Sequence, residues 1–415
     1  MPADPLALRR WSIVFASACA LAVGNAPIAI FTFGIFSKAV VAEFGWSRGA
    51  VGAALGALNI CGAFAIPFFG ACIDRFGVRR PMLASIVLSC LALAAVSLAH
   101  SFWAFVLAFA LFGVFCGGIT PVPHAKLIAA WFGSRRGLAL GLAMSGTGVG
   151  AALVPLLAHE LLTHYGWRAG YQGLALLAAV IGLVATASVL RDPPAVATPQ
   201  RERRPLTPAP WRTILARTEF WLMALAVFAV CTALTGMIVT AVPLLTDRGM
   251  PALIATSVVS SAGLASAGGR LLTGALLDVF FGPRVAACAF VASALGIALM
   301  AVGGPTWVYL VASVLIGGAL GAEVDVIGYL VSRYFDIDTF GRAYGLVFFA
   351  FSVASGSGGY LLGLCHDLTG SYTSGVWACA ALCLLGALLI SRLGPYRVGR
   401  VRDANEQGGV AARPA

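Results

Sequence analysis

The chain has 415 residues, of which 60% are hydrophobic and only 10% charged, and its mean hydropathy is +0.94. Soluble domains run near 25% charged, and this chain has too little polar surface to cover a water-soluble globule of its size. A soluble enzyme, a nucleic-acid binder and a disordered chain are therefore excluded, and a polytopic membrane protein remains. The net charge of +11 sits mostly in short loops between apolar runs, where it reads as membrane orientation rather than as a nucleic-acid footprint. Arg outnumbers Lys 25 to 2, which with abundant Ala, Gly and Pro points to a GC-rich bacterial genome. The ten Cys stand singly in apolar segments without metal-ligand spacing and read as small apolar fillers, so no metal site is expected.

A spanning helix needs about 20 mostly apolar residues. Breaking the chain at charged or Gly/Pro-rich turns gives twelve such runs: 12–37, 48–72, 80–99, 102–131, 137–162, 169–190, 219–246, 252–279, 284–303, 306–333, 342–365 and 372–392. We number them spans 1 to 12. With the N-terminus placed in the cytoplasm, the inner segments hold twenty-one Lys or Arg and the outer segments only four: Lys38, Arg48, Arg168 and Arg248. The positive-inside rule then puts both termini in the cytoplasm. The stretch 191–218, with six Pro among six Arg, has no hydrophobic periodicity and reads as a cytoplasmic linker. It separates a first half, 1–190, from a second, 219–393, and 394–415 reads as a polar cytoplasmic tail.

The halves repeat. Gly70-x3-Asp74 matches Gly274-x3-Asp278 at an offset of 204, Trp131-Phe132 matches Tyr334-Phe335 at 203, Gly137-x3-Gly141 matches Gly341-x3-Gly345 at 204, and Gly166 matches Gly370 at 204. Six spans plus six as parallel repeats is the plan of many secondary transporters, with the substrate site between the halves near the membrane midplane.

Gly70-Ala-Cys-Ile-Asp74-Arg75-Phe76-Gly77-Val78-Arg79-Arg80 resembles the signature loop between spans 2 and 3 of the major facilitator superfamily. The pattern often carries a basic residue where Val78 stands. Glu43-Phe44-Gly45-Trp46-Ser47-Arg48, Trp131-Phe132-x2-Arg135-Arg136-Gly137, Gly166-Trp167-Arg168 and Gly321-Ala322-Glu323-Val324-Asp325 are similar to the monocarboxylate-porter branch, which includes bacterial oxalate/formate antiporter relatives. The resemblance covers nearly the whole chain. It implies an all-α membrane protein with twelve transmembrane helices in two pseudo-symmetric six-helix halves.

Ionisable groups deep in a span are costly and are functional candidates by default. Arg270 lies in span 8 within Gly268-Gly269-Arg270, and its repeat counterpart is Ile66, so the repeat itself requires no cation there. Its planar fork matches a carboxylate, and the resemblance assigns a span-8 Arg to the substrate carboxylate; a packing Arg paired internally with an acid is the alternative. Glu323 and Asp325 share similar depth in span 10 but point about 200° apart on an ideal helix, so only one faces a central cavity directly. The face shared by Asp325 and Tyr329 at i,i+4 is favoured, with Tyr329 donating a hydroxyl to substrate and the acids carrying protons. A structural pairing of either acid with Arg270 or Arg333 is the alternative. Lys38, in Phe36-Ser37-Lys38, matches the branch's proton-coupling Lys, or else snorkels at the interface. His124 and Lys126 in span 4 are possible secondary cations, and Asn25 beside Pro27 in span 1 is a possible ligand hydrogen-bonder or a kink residue. Asp74, Arg75, Arg79, Arg80 and Asp278 either supply positive-inside charge around a tight turn or, as the resemblance implies, form a cytoplasmic gate.

No G-x4-G-K-[ST] loop is present, so no ATP site is expected, and Gly146-Thr-Gly148-Val-Gly150 is a helix-packing stripe. No catalytic residues and no cofactor are expected. The expected protein is a secondary active transporter of a small organic anion, preferably a monocarboxylate, in the bacterial inner membrane. It would act as a monomer and be coupled to protons, with oxalate/formate-type anion exchange as the alternative and a transport-like sensor as the outside one.

Overall fold

The computed structural model describes residues 5–132, 136–188, 211–335 and 337–396, and nearly all of them are helical. Among the described residues, eleven helices are long and apolar enough to cross a membrane. One of them, Arg136–Ser188, is broken at Gly166 (φ 79°) and crosses twice, which makes twelve crossings. The halves follow the same plan. Span 2 (Arg48–Phe76) and span 8 (Ala252–Val279) begin 204 residues apart, and so does a left-handed glycine before each, Gly45 (φ 67°) and Gly249 (φ 85°). Gly166 and Gly370 (φ 70°) repeat the relation ahead of spans 6 and 12. Only glycine enters this conformation without a Cβ clash, which is why these positions register the repeat.

Span 3 is Arg79–Val96, span 7 Thr218–Asp247, span 9 Gly282–Val302, span 10 Thr306–Tyr334, span 11 Ile337–Thr369 and span 12 Thr373–Ser391. Two spans are less regular than the sequence predicts. Span 1 runs Pro5–Ala22, opens into a wide π-type turn at Ala26–Ile30, and continues as Phe31–Phe44. Pro27 has no N–H to give the ladder at that point. Span 4 runs Phe102–Phe115, tightens into a 3₁₀ turn at Cys116–Ile119, and restarts as Pro121–Trp131 after an extended Thr120, the conformation that a following proline imposes. The two breaks touch: a Cβ on Gly24 would lie 2.7 Å from the Ile119 carbonyl oxygen.

The halves meet along spans 2 and 11, spans 5 and 8, and spans 1 and 7. Small residues let these backbones approach closely; a Cβ on Gly34 of span 1 would sit 2.1 Å from the Val239 carbonyl oxygen of span 7. Closeness is not uniform in depth. Gly49, Gly52 and Gly56 of span 2 press on the span 11 backbone at Leu364, Gly359 and Gly356, whereas Gly70 of span 2, Gly345 of span 11 and Gly274 of span 8 face open space. Among the described residues the tight backbone contacts between spans 2 and 11 lie towards the side away from the termini. Most of the 191–218 linker and the 394–415 tail lies outside the described residues. The described remainder begins with the short helix Trp211–Leu215 and ends at Tyr396, whose hydroxyl accepts the Gly282 N–H at 2.7 Å.

Candidate functional site

Span 10 lies flush on span 8. A Cβ on Gly321 would meet the Ser266 carbonyl oxygen at 1.9 Å, and one on Gly269 the Gly318 carbonyl oxygen at 2.2 Å. This glycine-to-glycine seam holds Arg270 against span 10: its Nε donates to the Gly321 carbonyl at 3.3 Å and lies 3.4 Å from Asp325 Oδ2. The Arg270 side chain is 18% exposed and that of Asp325 37%, so the pair is not sealed inside the second half. Tyr344 of span 11 stands within electrostatic reach of Asp325 and begins a stacked column with Phe348 and Phe351. The arrangement offers one guanidinium, one carboxylate, one phenol and an aromatic wall.

Glu323 points elsewhere. It is 1% exposed and faces Cys231 of span 7 and Cys383 of span 12, inside the second half. Of the two acids expected to carry protons, only Asp325 meets Arg270, and the pair is neutral as it stands. Tyr329 is also corrected. Its ring packs on Gly282 and Tyr396 beneath Arg333, whose guanidinium lies 5.1 Å from the ring centre. The helix carries Asp325 towards span 8 and Tyr329 into an aromatic cluster on the terminal side; Tyr344 is the hydroxyl near the acid instead.

Asn25 stands at the break of span 1 with its buried Oδ1 unbonded among the described residues. His124 is fully buried in the first half, both ring nitrogens without a hydrogen-bond partner there. The side chains of Lys126, Asp74 and Asp278 lie outside what the structure describes. Arg75 is exposed beside Phe76 and Arg80 is exposed, while Arg79 donates to the Ala187 carbonyl of its own half.

Lys38 is drawn into a cluster that closes the far side. Its Nζ lies 2.6 Å from Asp247 Oδ1 at the end of span 7, and Arg48 at the start of span 2 binds Asp247 Oδ2. Arg48 also donates to the Tyr372 hydroxyl at 3.0 Å. Asp367 caps span 2, accepting the backbone N–H groups of Arg48 at 3.0 Å and Gly49 at 2.8 Å. Every one of these bonds joins one half to the other. A small cleft lined by Phe33, Val51, Thr240 and Pro243 lies beside the cluster. Within the first half, Glu43 accepts the Trp167 indole N–H at 2.6 Å and pairs with Arg168, while Trp46 stacks on Phe44. The two sequence motifs Glu43–Arg48 and Gly166–Arg168 therefore meet as one far-side cap on spans 1 and 6.

The family pattern named Major Facilitator Superfamily matches residues 18–322. The chain belongs to that superfamily. It is 28% identical over 349 residues to Homo sapiens monocarboxylate transporter 11, a match covering 78% of this chain and 70% of that one. It is 27% identical over 329 residues to Rattus norvegicus monocarboxylate transporter 13, covering 78% and 75%. The fold resembles a D-xylose-proton symporter with a TM-score of 0.74 at 16% identity, over 93% of this chain and 98% of that one; at that identity the likeness speaks for the fold alone. This major facilitator is a multi-pass membrane transporter, not an enzyme.

In a major facilitator whose halves rock against each other, cross-half bonds on one face bias the balance of states. Asp247→Asn removes two of them here. An exposed ion pair contributes about 0.2–1 kcal/mol, so with two lost the far-side-open population should rise about 2- to 30-fold. Distances between spin labels on the far-side ends of spans 1 and 7 would report it, and an unchanged distance distribution would remove the latch role of Asp247.

Proposed function

We propose that the protein carries a small monocarboxylate across the bacterial inner membrane by alternating access, with both termini in the cytoplasm, and that a proton accompanies the anion. The Arg270–Asp325 pair carries this reading. A guanidinium on the path between the halves is matched to a carboxylate, and its bond to Asp325 is one that an incoming anion must displace. Protonating Asp325 frees Arg270, and anion plus proton then restores a neutral site. The relatives named as monocarboxylate transporters support the substrate class. In the state described here the site faces the cytoplasm, Lys38 and Arg48 shut the periplasmic side, and Asp74, Arg75, Arg79, Arg80 and Asp278 belong to the gate that closes when the molecule turns outward.

A monocarboxylate is favoured over a dicarboxylate. The resemblance to the oxalate/formate branch implies a second cation, a Lys in span 11, for a dicarboxylate, and span 11 here has no Lys or Arg between Ala343 and Cys365. A second carboxylate near midplane without a partner costs several kcal/mol. Tyr344, Phe348 and Phe351 form an aromatic wall suited to the apolar remainder of a 2-hydroxy, 2-oxo or aromatic acid. In proteoliposomes, lactate and benzoate are expected to compete for uptake at least tenfold better than oxalate; preference for oxalate that Lys126→Ala abolishes would instead make Lys126 the second cation.

A further inference from the structure

Glu323 is the most deeply buried carboxyl among the described residues, and no ion pair is formed to it there. Its Oε1 has no hydrogen-bond partner among the described residues. The groups that face it are neutral thiols, Cys231 from span 7 and Cys383 from span 12. The nearest acid along the chain, Asp325, belongs with Arg270 on another face of span 10. A carboxylate in so apolar a place, without a cation, is far less stable than the neutral acid.

A line of exchangeable protons leads away from it. Cys231 Sγ lies 3.8 Å from Thr235 Oγ1, and Thr235 Oγ1 lies 3.3 Å from Ser355 Oγ of span 11. In the orientation described, the thiol donates to the Phe351 carbonyl at 3.4 Å. One residue beyond Ser355, Gly356 packs on Gly56 and Asn59 of the first half. The hydroxyls and the thiol therefore run from the closed interior of the second half to a buried Ser355 beside the point where span 11 packs on the first half.

We propose that Glu323 is a proton-binding site sealed within the second half, separate from the Arg270–Asp325 pair, and that Cys231, Thr235 and Ser355 are its relay. A proton taken up at the Ser355 hydroxyl is matched by one passed to Thr235, then to Cys231 Sγ, and finally from the S–H to a Glu323 oxygen. Each donor regains the proton it gives, so no charge is left on the relay. The importance of this site to transport rests on the proton-coupled reading above. Its test reads the carboxyl itself and stands whether or not the substrate is a monocarboxylate.

Infrared difference spectroscopy of the purified protein at neutral pH provides that test. A C=O band of a protonated carboxylic acid is expected in the wild type and in Asp325→Asn, and its absence in Glu323→Gln. In D₂O the band should shift several-fold more slowly in Cys231→Ala, and at close to the wild-type rate in Cys231→Ser, whose hydroxyl can still relay. Where Glu323→Gln does not fold, Glu323→Asp decides, because a retained but displaced band assigns it to this position. The proposal is overturned if the wild type lacks the band, or if the band is lost in Asp325→Asn and kept in Glu323→Gln. Appearance of the band only on removal of Na⁺ would make this a sodium site and overturn it equally. Equal exchange rates in wild type and Cys231→Ala would remove the relay.

Discussion

Arg270→Ala is expected to lower substrate affinity about 10- to 150-fold, which corresponds to the ~1.5–3 kcal/mol carried by a charge-assisted hydrogen bond. The loss should appear in uptake by reconstituted protein that still inserts and folds. Folding is expected to survive because Arg270 holds span 10 through a single carbonyl bond to Gly321 and one pairing with Asp325. The seam itself is made by the backbones at Gly269, Gly318 and Gly321. Removal of the cation does leave Asp325 unpaired, and Arg270→Ala/Asp325→Asn separates the two effects. It should restore any lost folding and leave affinity low. Arg270→Lys should fail as well, since an ammonium on a flexible stem cannot reproduce the planar fork. Near-normal uptake by Arg270→Ala would take the carboxylate site away from span 8.

Spans and repeat are legible in this sequence because the bilayer makes them so: apolar length and Lys/Arg placement carry the signal. Left-handed glycines fix the register, and Gly45 with Gly249 adds a pair at the same offset to those found from motifs. The breaks in spans 1 and 4 are less legible. Pro27, Pro121 and Pro123 mark them, but the turns that follow depend on Gly24 fitting the Ile119 carbonyl, a tertiary fact. Side-chain direction was the harder part. A span apolar all round does not announce which face looks inward, so the exclusion of Glu323 and Tyr329 from the site needed the packing of span 10 on spans 7, 8 and 9. Asp247 carries a signal in the sequence. Four cations stand on the poorly charged outer side, and Glu43, Asp247 and Asp367 are acids at matching span ends, so Lys38 and Arg48 had partners to find. Tyr344 had none, since a lone Tyr near a span end is ordinary.

Uptake should rise as external pH falls, and Asp325→Asn should abolish that rise. As described, Arg270 and Asp325 neutralise each other, and an anion entering alone would bring the site to −1. A proton on Asp325 removes the competing carboxylate, so the form that binds substrate is the protonated one and its population grows towards acid. With one proton moved per anion, each pH unit across the membrane supports about tenfold accumulation, equivalent to 1.36 kcal/mol. An Asn at 325 resembles the protonated acid in shape and neutrality but cannot release a proton. It should keep substrate binding and substrate-for-substrate counterflow while losing accumulation driven by a pH gradient. Uptake that stays flat between about pH 5 and 8, the range that ordinary carboxyl shifts reach, together with brisk counterflow in the wild type, would instead describe an anion exchanger. In that event Asp325 would be a structural partner of Arg270, and Asp325→Asn would change affinity without changing pH dependence. The two outcomes separate in one preparation, because counterflow and gradient-driven uptake are measured on the same vesicles.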